Sequence, residues 1–443
     1  MLRSAPVSKS LLRTALATPP TSRFCGATGA DCMRIVQTAT AYYPSVGGAQ
    51  LHWFTIARML REKGHELAAI AQWKDERNRY LLDSTLFAPR GDDQYDADGI
   101  PVYRFQPSLI ARCWMAPLLP GCFLLPELCY PPISAYFAHL FERIPGRVDV
   151  VHNIRVGREH YSWAAYAFAR RRRATFFITP NFSPRMQSSF GRFVMRNFFR
   201  LLRRADGVFV FTPAEKEQLK GLGVPDCRIC LIGVGPLLAE RFDAAEFKRQ
   251  FCIRDKMVLF LGQKLSYKGF DILLAAAPLV WAKHPDTSFV FIGPHYKSTR
   301  QQILRLRDER IVDIPRVEPF DPLKASALAA ADVFALPSRQ EGIGGVYIEA
   351  WAMKKPVIAC RIPYLVIEDG VDGFLVPQDA KAVAEKIIWL LDHPEEARAM
   401  GERGFTKVQR DFNWGVVADR IETFYHQHVG DRLGNDAGDW RPA

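Results

Sequence analysis

Cysteine is scarce and unpatterned in this 443-residue chain: nine residues, an odd number, at positions 25, 32, 113, 122, 129, 227, 230, 252 and 360. No spacing resembles a disulfide framework, which excludes a small stapled domain and makes a reducing compartment the default. The single C-x-x-C, Cys227 to Cys230, lies in an apolar run read as a strand, where positions three apart face opposite ways. No second Cys or His pair lies close by, so no metal site is expected. Repeats of solenoid length and low-complexity tracts are also missing, which excludes stacked-repeat and disordered architectures.

Acid is absent before Asp31, while Arg3, Lys9, Arg13 and Arg23 punctuate a stretch rich in Ser, Thr and Ala. Residues 1–32 therefore have the composition of a mitochondrial transit peptide. The preferred reading is plainer. A strand begins directly after Met33, so Met33 is taken as the true first residue and 1–32 as a disordered gene-model extension. An unbroken apolar helix is lacking too. Residues 113–141 hold one full charge, Glu127, but Pro117, Pro120, Pro126, Pro131 and Pro132 interrupt them. A membrane span needs about 20 apolar residues in continuous helix. Either a buried loop and helix, or a patch dipping into a lipid interface, fits this segment.

What is present is ordinary for a globular protein: 48% hydrophobic and 24% charged residues, with 30 Gly and 30 Pro. The length suits two or three domains. The net charge of +12 is uneven, since residues 1–235 carry 31 Lys and Arg against 18 Asp and Glu, while 236–443 carry 28 against 29. The first half should meet something anionic. Within it, Arg192, Arg196, Arg200, Arg203 and Arg204 recur at helical spacing with Phe193, Phe198, Phe199 and Leu202 between them, and Arg170 to Arg173 add four charges. A basic amphipathic helix over 191–204 reads best as a membrane-surface element. No nucleic-acid-binding module is visible, so nucleic acid is not the expected partner.

Short apolar strands alternate with helices. Strands are expected at 34–38, 66–71, 148–152, 174–179, 207–211, 258–262, 288–292, 332–336, 356–359 and 373–376. Helices fall at 49–63, near 133–144, and at 160–172, 270–283, 321–330, 345–354 and 380–391. This is the pattern of parallel sheets covered on both faces, an α/β fold of two Rossmann-like domains. The domains are placed at 33–235 and 236–410, with a helix at 411–430 crossing back toward the first.

Ligands in such sheets bind beyond the carboxyl ends of the strands, and four segments lie there. Between the first strand and first helix, Gly47 and Gly48 let backbone approach an anion at a helix start, although the pattern is not G-x-G-x-x-G. In Gly262–Gly269, Lys264 and Lys268 could reach a diphosphate. In Ser338–Ala350, the loop Gly342, Ile343, Gly344 and Gly345 opens a helix and can cradle phosphate. Glu341 and Glu349 flank that loop, and hydroxyls of a sugar or ribose are their natural partners. His152 ends a strand, as either a site histidine or a core one. Asp96 and Asp98 could be a metal pair but sit in a polar loop.

Segment 337–350, with Glu341 and Glu349 separated by seven residues, resembles the Glu-x7-Glu motif of retaining glycosyltransferases of family 4, which have the GT-B fold. Tyr43–Gly48, Asp149–His152, Ala205–Phe211, Gly233–Gly235, Lys268-Gly269 and Val371–Val376 are similar to other segments of that family, so the resemblance runs from about residue 33 to about 425. It implies two Rossmann-like domains facing a cleft, an acceptor-binding first domain and a nucleotide-sugar-binding second one. It also implies transfer of a hexose from a nucleotide-diphosphate sugar with retention and without metal or other cofactor. Glu349 would bind the donor ribose and Glu341 the donor sugar. Lys268, with Gln263 beside it and the amides of 342–345, would stabilise the departing diphosphate, and His152 would serve the reaction. A lipid-linked or surface-glycan acceptor on the cytoplasmic face of an anionic membrane is the expected setting. The sequence departs from the family at Gln263, where Arg is frequent, at Asn181, where His is common, and at Arg361–Leu365, which is shorter and lacks the usual Gly pair. These departures leave a second reading, a non-catalytic GT-B binding or scaffold subunit.

Overall fold

The computed structural model describes residues 32–44, 48–73, 92–122, 124–155, 159–181, 189–294, 299, 301–303 and 308–435. Two sheets organise it. The first contains β1 (Arg34–Ala41), β2 (Glu66–Trp73), β3 (Asp93–Ala97), β4 (Ile100–Arg104), β5 (Val150–Ile154), β6 (Thr175–Thr179), β7 (Gly207–Val210) and β8 (Ile229–Leu231), in the order β3-β4-β2-β1-β5-β6-β7-β8. Every pairing is parallel except the β3–β4 hairpin. The second sheet contains β9 (Met257–Leu261), β10 (Ser288–Ile292), β11 (Ile311–Ile314), β12 (Val333–Leu336), β13 (Val357–Cys360) and β14 (Gly373–Val376), in the order β11-β10-β9-β12-β13-β14, all parallel.

Strands such as β5, β6, β9 and β10 are buried at every position. Unbroken runs like Met257–Leu261 have no polar face to offer water and need helices on both sides. Those helices include α1 (Gly48–Glu62), α2 (Leu109–Met115), α3 (Pro126–Phe141), α4 (Glu159–Arg171), α5 (Ser189–Val194), α6 (Arg196–Arg204) and α7 (Pro213–Gly221) around the first sheet. Around the second are α8 (Phe270–Trp281), α9 (Pro322–Ala330), α10 (Gly345–Ala352), α11 (Ala380–Asp392) and α12 (Pro394–Lys407).

After a π-helical turn at Val408–Phe412, α13 (Trp414–Asn435) packs on the first sheet, burying Tyr425 completely. The chain thus passes between the sheets twice, and the two passages touch. The face of Gly235 lies against the Trp414 ring and that of Gly233 against Phe412, so closely that a side chain on either glycine would collide. The Trp414 indole N–H donates to the Pro236 carbonyl at 2.8 Å.

Several elements differ from the sequence reading. The basic stretch 191–204 is two helices broken at Met195 rather than one. Helix α3 starts at Pro126 and continues through Pro131 and Pro132, which lie on its exposed side where the carbonyls they free can meet water. Cys227 lies in a 3₁₀ turn, Asp226–Arg228, and only Cys230 is on a strand. The β3–β4 hairpin, absent from the sequence reading, is built of two five-residue strands, the first mostly polar and exposed. Its turn is Asp98-Gly99, both at positive φ (54° and 80°), the pairing that tight hairpins favour. Asp96 accepts from the Gly99 amide and Asp98 pairs with Arg58, so these acids build the turn.

Candidate functional site

The second sheet places two loops side by side. One follows β9 and ends in the 3₁₀ turn Ser266–Lys268, and the other follows β12. Gly269 joins them. It has φ of 72°, and a Cβ there would run into the Pro337 carbonyl, so only glycine permits this approach. Amides of the second loop then donate to the first, Arg339 to the Tyr267 carbonyl at 2.8 Å, and the Arg339 guanidinium clamps Asp271. The result brings Lys268 Nζ to 2.7 Å from both oxygens of Glu341, while the Ser338 hydroxyl donates to Oε1 at 2.7 Å. Glu341 is 8% exposed.

Gly342 to Gly345 continue from Glu341 into α10. Gly344 is its N-cap, at φ of 65°, and no side chain caps the first turn; the Tyr347 amide donates to the Gly344 carbonyl, which leaves the amides of Gly345 and Val346 for an anion. A Cβ on Gly342 would meet nothing within 4 Å, so backbone lines open space there. One turn along α10, Glu349 is 5% exposed. Its Oε1 accepts from Lys324 Nζ at 2.7 Å and from the Leu237 amide at 3.3 Å. Its Oε2 is buried without a hydrogen-bond partner among the described residues. Burial raises the carboxyl pKa, opposed by Lys324. An orphaned carboxylate oxygen beside a bare helix N-terminus is a site for a ligand that carries both hydroxyls and negative charge.

Other candidates fall elsewhere. His152 is a correction: it is fully buried, with one ring nitrogen 2.6 Å from the Tyr425 hydroxyl and the other 2.9 Å from Thr179 Oγ1. Burial drives its pKa down to about 3, and it is a satisfied core histidine between β5 and α13. Lys264 is a second correction. Its side chain turns inward to Asp313 and the Ile314 carbonyl, leaving Lys268 as the loop's outward cation. Gln263 stays near the site but accepts from the Tyr267 hydroxyl at 2.6 Å. Gly48 opens α1, with nothing within 4 Å of its would-be Cβ, and Gly47 lies outside the described residues. Asn181 donates to the Arg155 carbonyl.

The five arginines of 191–204 do not form one free stripe. Arg196 and Arg200 both bind Glu127, Arg203 donates to the Leu222 carbonyl, and Arg204 lies over the Trp163 ring; Arg192 is exposed. Arg170 and Arg172 are likewise spent on Asp206 and Glu142. Sequence reasoning missed Lys324, Ser338 and Leu237. Only Lys324 left a signal, as the one charge in the small-residue helix Pro322–Ala330.

Two family descriptions match this chain: "Glycosyl transferase 4-like domain" over residues 47–235 and "Glycosyl transferases group 1" over 255–393. Together they take in the second sheet and all of the first but β1, and the chain belongs to the family 4 glycosyltransferases of GT-B fold. It is 34% identical over 166 residues to a GDP-mannose-dependent monoacylated alpha-(1-6)-phosphatidylinositol monomannoside mannosyltransferase of Corynebacterium glutamicum, covering 35% of this chain and 42% of that one. It is 30% identical to a D-inositol 3-phosphate glycosyltransferase of Kineococcus radiotolerans, over 55% of this chain and 62% of the relative. In both cases less than two thirds of the relative's length is matched. Among solved structures, HepE of Anabaena in complex with UDP and glucose superposes with a TM-score of 0.62 at 18% identity, covering 91% of this chain and 100% of that one. Sucrose-phosphate synthase of Thermosynechococcus elongatus does so with 0.64 at 21% identity, covering 90% and 100%. At these identities the structures speak for the fold.

Proposed function

We propose that this chain transfers a hexose from a nucleotide-diphosphate sugar to a lipid-linked or surface-glycan acceptor, with retention of configuration and without metal. The observation that carries the reading is the pair of buried carboxylates on either side of an uncapped helix start, one paired with Lys268 and the other with an oxygen still unpartnered. Glu349 Oε2 would accept from a ribose hydroxyl, and Glu341 from hydroxyls of the donor sugar. Lys268 and the first amides of α10 would meet the diphosphate, where charge grows as the glycosidic bond breaks. A cation and oriented amides supply the neutralisation that other transferases draw from a divalent ion, which supports metal-independent action. The phosphatidylinositol monomannoside mannosyltransferase and the D-inositol 3-phosphate glycosyltransferase to which the chain is similar favour an inositol-containing lipid or its precursor as acceptor.

A membrane setting on the cytoplasmic face is part of the proposal. Leu109, Ile110, Leu124, Leu125, Leu128 and Phe193 are exposed, and Arg196 ties two of these segments together by donating to the Leu124 and Phe193 carbonyls. Exposed apolar side chains beside Arg192 and Arg200 suit an anionic bilayer surface. Among the described residues no helix is long and apolar enough to cross one.

Calorimetric titration with UDP-, GDP- and ADP-sugars in EDTA tests the donor reading. Selective binding of one donor that collapses in Glu349→Ala supports it, and binding of none overturns it. Co-sedimentation with anionic and neutral vesicles, with duplex DNA as competitor, tests the surface.

A further inference from the structure

Lys324 is the only charged residue of α9, a helix otherwise made of Ala, Leu, Ser and Pro. Asp321 caps that helix through the Leu323 amide, which directs Lys324 inward, where it is 6% exposed. A lysine is rarely buried to this extent unless it is paired. Its ammonium donates to Glu349 Oε1 at 2.7 Å and to the Leu237 carbonyl at 2.8 Å. The Leu237 amide donates to the same Oε1. One carboxylate oxygen is therefore held twice and its twin is left free, an asymmetry that a solvated or purely structural pair has no reason to keep.

We infer that Lys324 is a positioning residue for the nucleotide-sugar donor: by occupying Oε1 and neutralising Glu349, it presents Oε2 as a charged acceptor to the donor's ribose hydroxyls. The inference rests on the donor reading above. The Leu237 carbonyl fixes the ammonium from the far side, so charge and direction come from one side chain. Among the described residues Lys324 is the charged group that opposes the effect of burial on Glu349, joined by the Leu237 amide. Without the cation, a carboxyl this buried takes up a proton instead of facing the ligand ionised.

The test is a double-mutant cycle on donor affinity, measured by calorimetry in the full chain with Lys324→Met, Glu349→Gln and the double variant. Lys324→Gln serves as a second neutral variant that still donates to Leu237. Lys324→Met and Lys324→Gln should each raise the donor Kd about tenfold or more, the loss expected for a charge-assisted hydrogen bond. In the Glu349→Gln background the same substitutions should add nothing, because Lys324 acts through that carboxylate. The single Lys324 variants should also lose donor affinity as the pH is lowered and Glu349 protonates, whereas Glu349→Gln should not show that loss. A wild-type chain that binds a donor while its Lys324 variants bind equally well overturns the inference alone. So do additive losses in the cycle. A wild-type chain that binds no donor overturns the donor reading and the inference together.

Discussion

Lys268 Nζ sits 2.7 Å from both carboxylate oxygens of Glu341, at the point where the loops after β9 and β12 meet. The pair exists because Gly269 lets one loop lie on the backbone of the other. It pairs a nearly buried acid at the mouth of the glycine loop with a cation that stays partly open, at 20% side-chain exposure. Lys268→Met and Glu341→Gln should each cut kcat with the identified donor about 10²-fold. The double variant should fall little further than the worse single one, since the two act as a unit.

Two glycines two residues apart give opposite outcomes. Gly344 has φ of 65°, and a Cβ would press into the Tyr347 ring, so Gly344→Ala should lower stability by about 1–2 kcal/mol. Gly342 has no such φ and no neighbour within 4 Å of a would-be Cβ. Gly342→Ala should therefore leave the thermal midpoint where it is while raising the donor Kd, because the methyl group projects into the space left for phosphate. Melting curves and titrations on the same samples check both.

Lys264 and Lys268 lie four residues apart and should fail differently. Lys264 is fully buried against Asp313, so Lys264→Met should destabilise the fold by about 3 kcal/mol while leaving donor affinity unchanged. Denaturant unfolding separates it from Lys268→Met, whose cost should appear in turnover.

Glu159 is 4% exposed, its Oε2 has no partner among the described residues, and burial, against the pull of Arg155, pushes its pKa from 4.5 to about 7. A pKa raised in the folded state favours the native chain at low pH, and that stability is lost as pH rises through about 7. Glu159→Gln should therefore match the wild type in acid and exceed it in base by up to about 3 kcal/mol, the equivalent of that pKa difference. Unfolding curves at both ends of the range check the sign.

The parallel sheets were legible because buried strands such as Ser288–Ile292 carry nothing but small or apolar side chains. The glycine loop and its two acids were legible because Gly342, Gly344 and Gly345 are costly unless something needs their backbone. Lys264 and Lys268 could not be told apart, since which of two loop lysines turns inward depends on Asp313, a residue 49 positions away. His152 misled for the same reason: its partners Thr179 and Tyr425 are 27 and 273 residues distant. The basic stretch reads as one free stripe because sequence counts arginines but not Glu127, which pairs with two of them.

The bare faces of Gly233 and Gly235 against Phe412 and Trp414 have a mechanical meaning. The described chain passes between the sheets at two places, and there they are stacked on one another, so a rotation of one sheet against the other has a single pivot. Leu237, just beyond it, is bonded through both its amide and its carbonyl to the Lys324–Glu349 pair. The oxygen left open on Glu349 thus belongs to the axle of any such movement rather than to its rim, and it can keep its aim while the walls of the cleft swing.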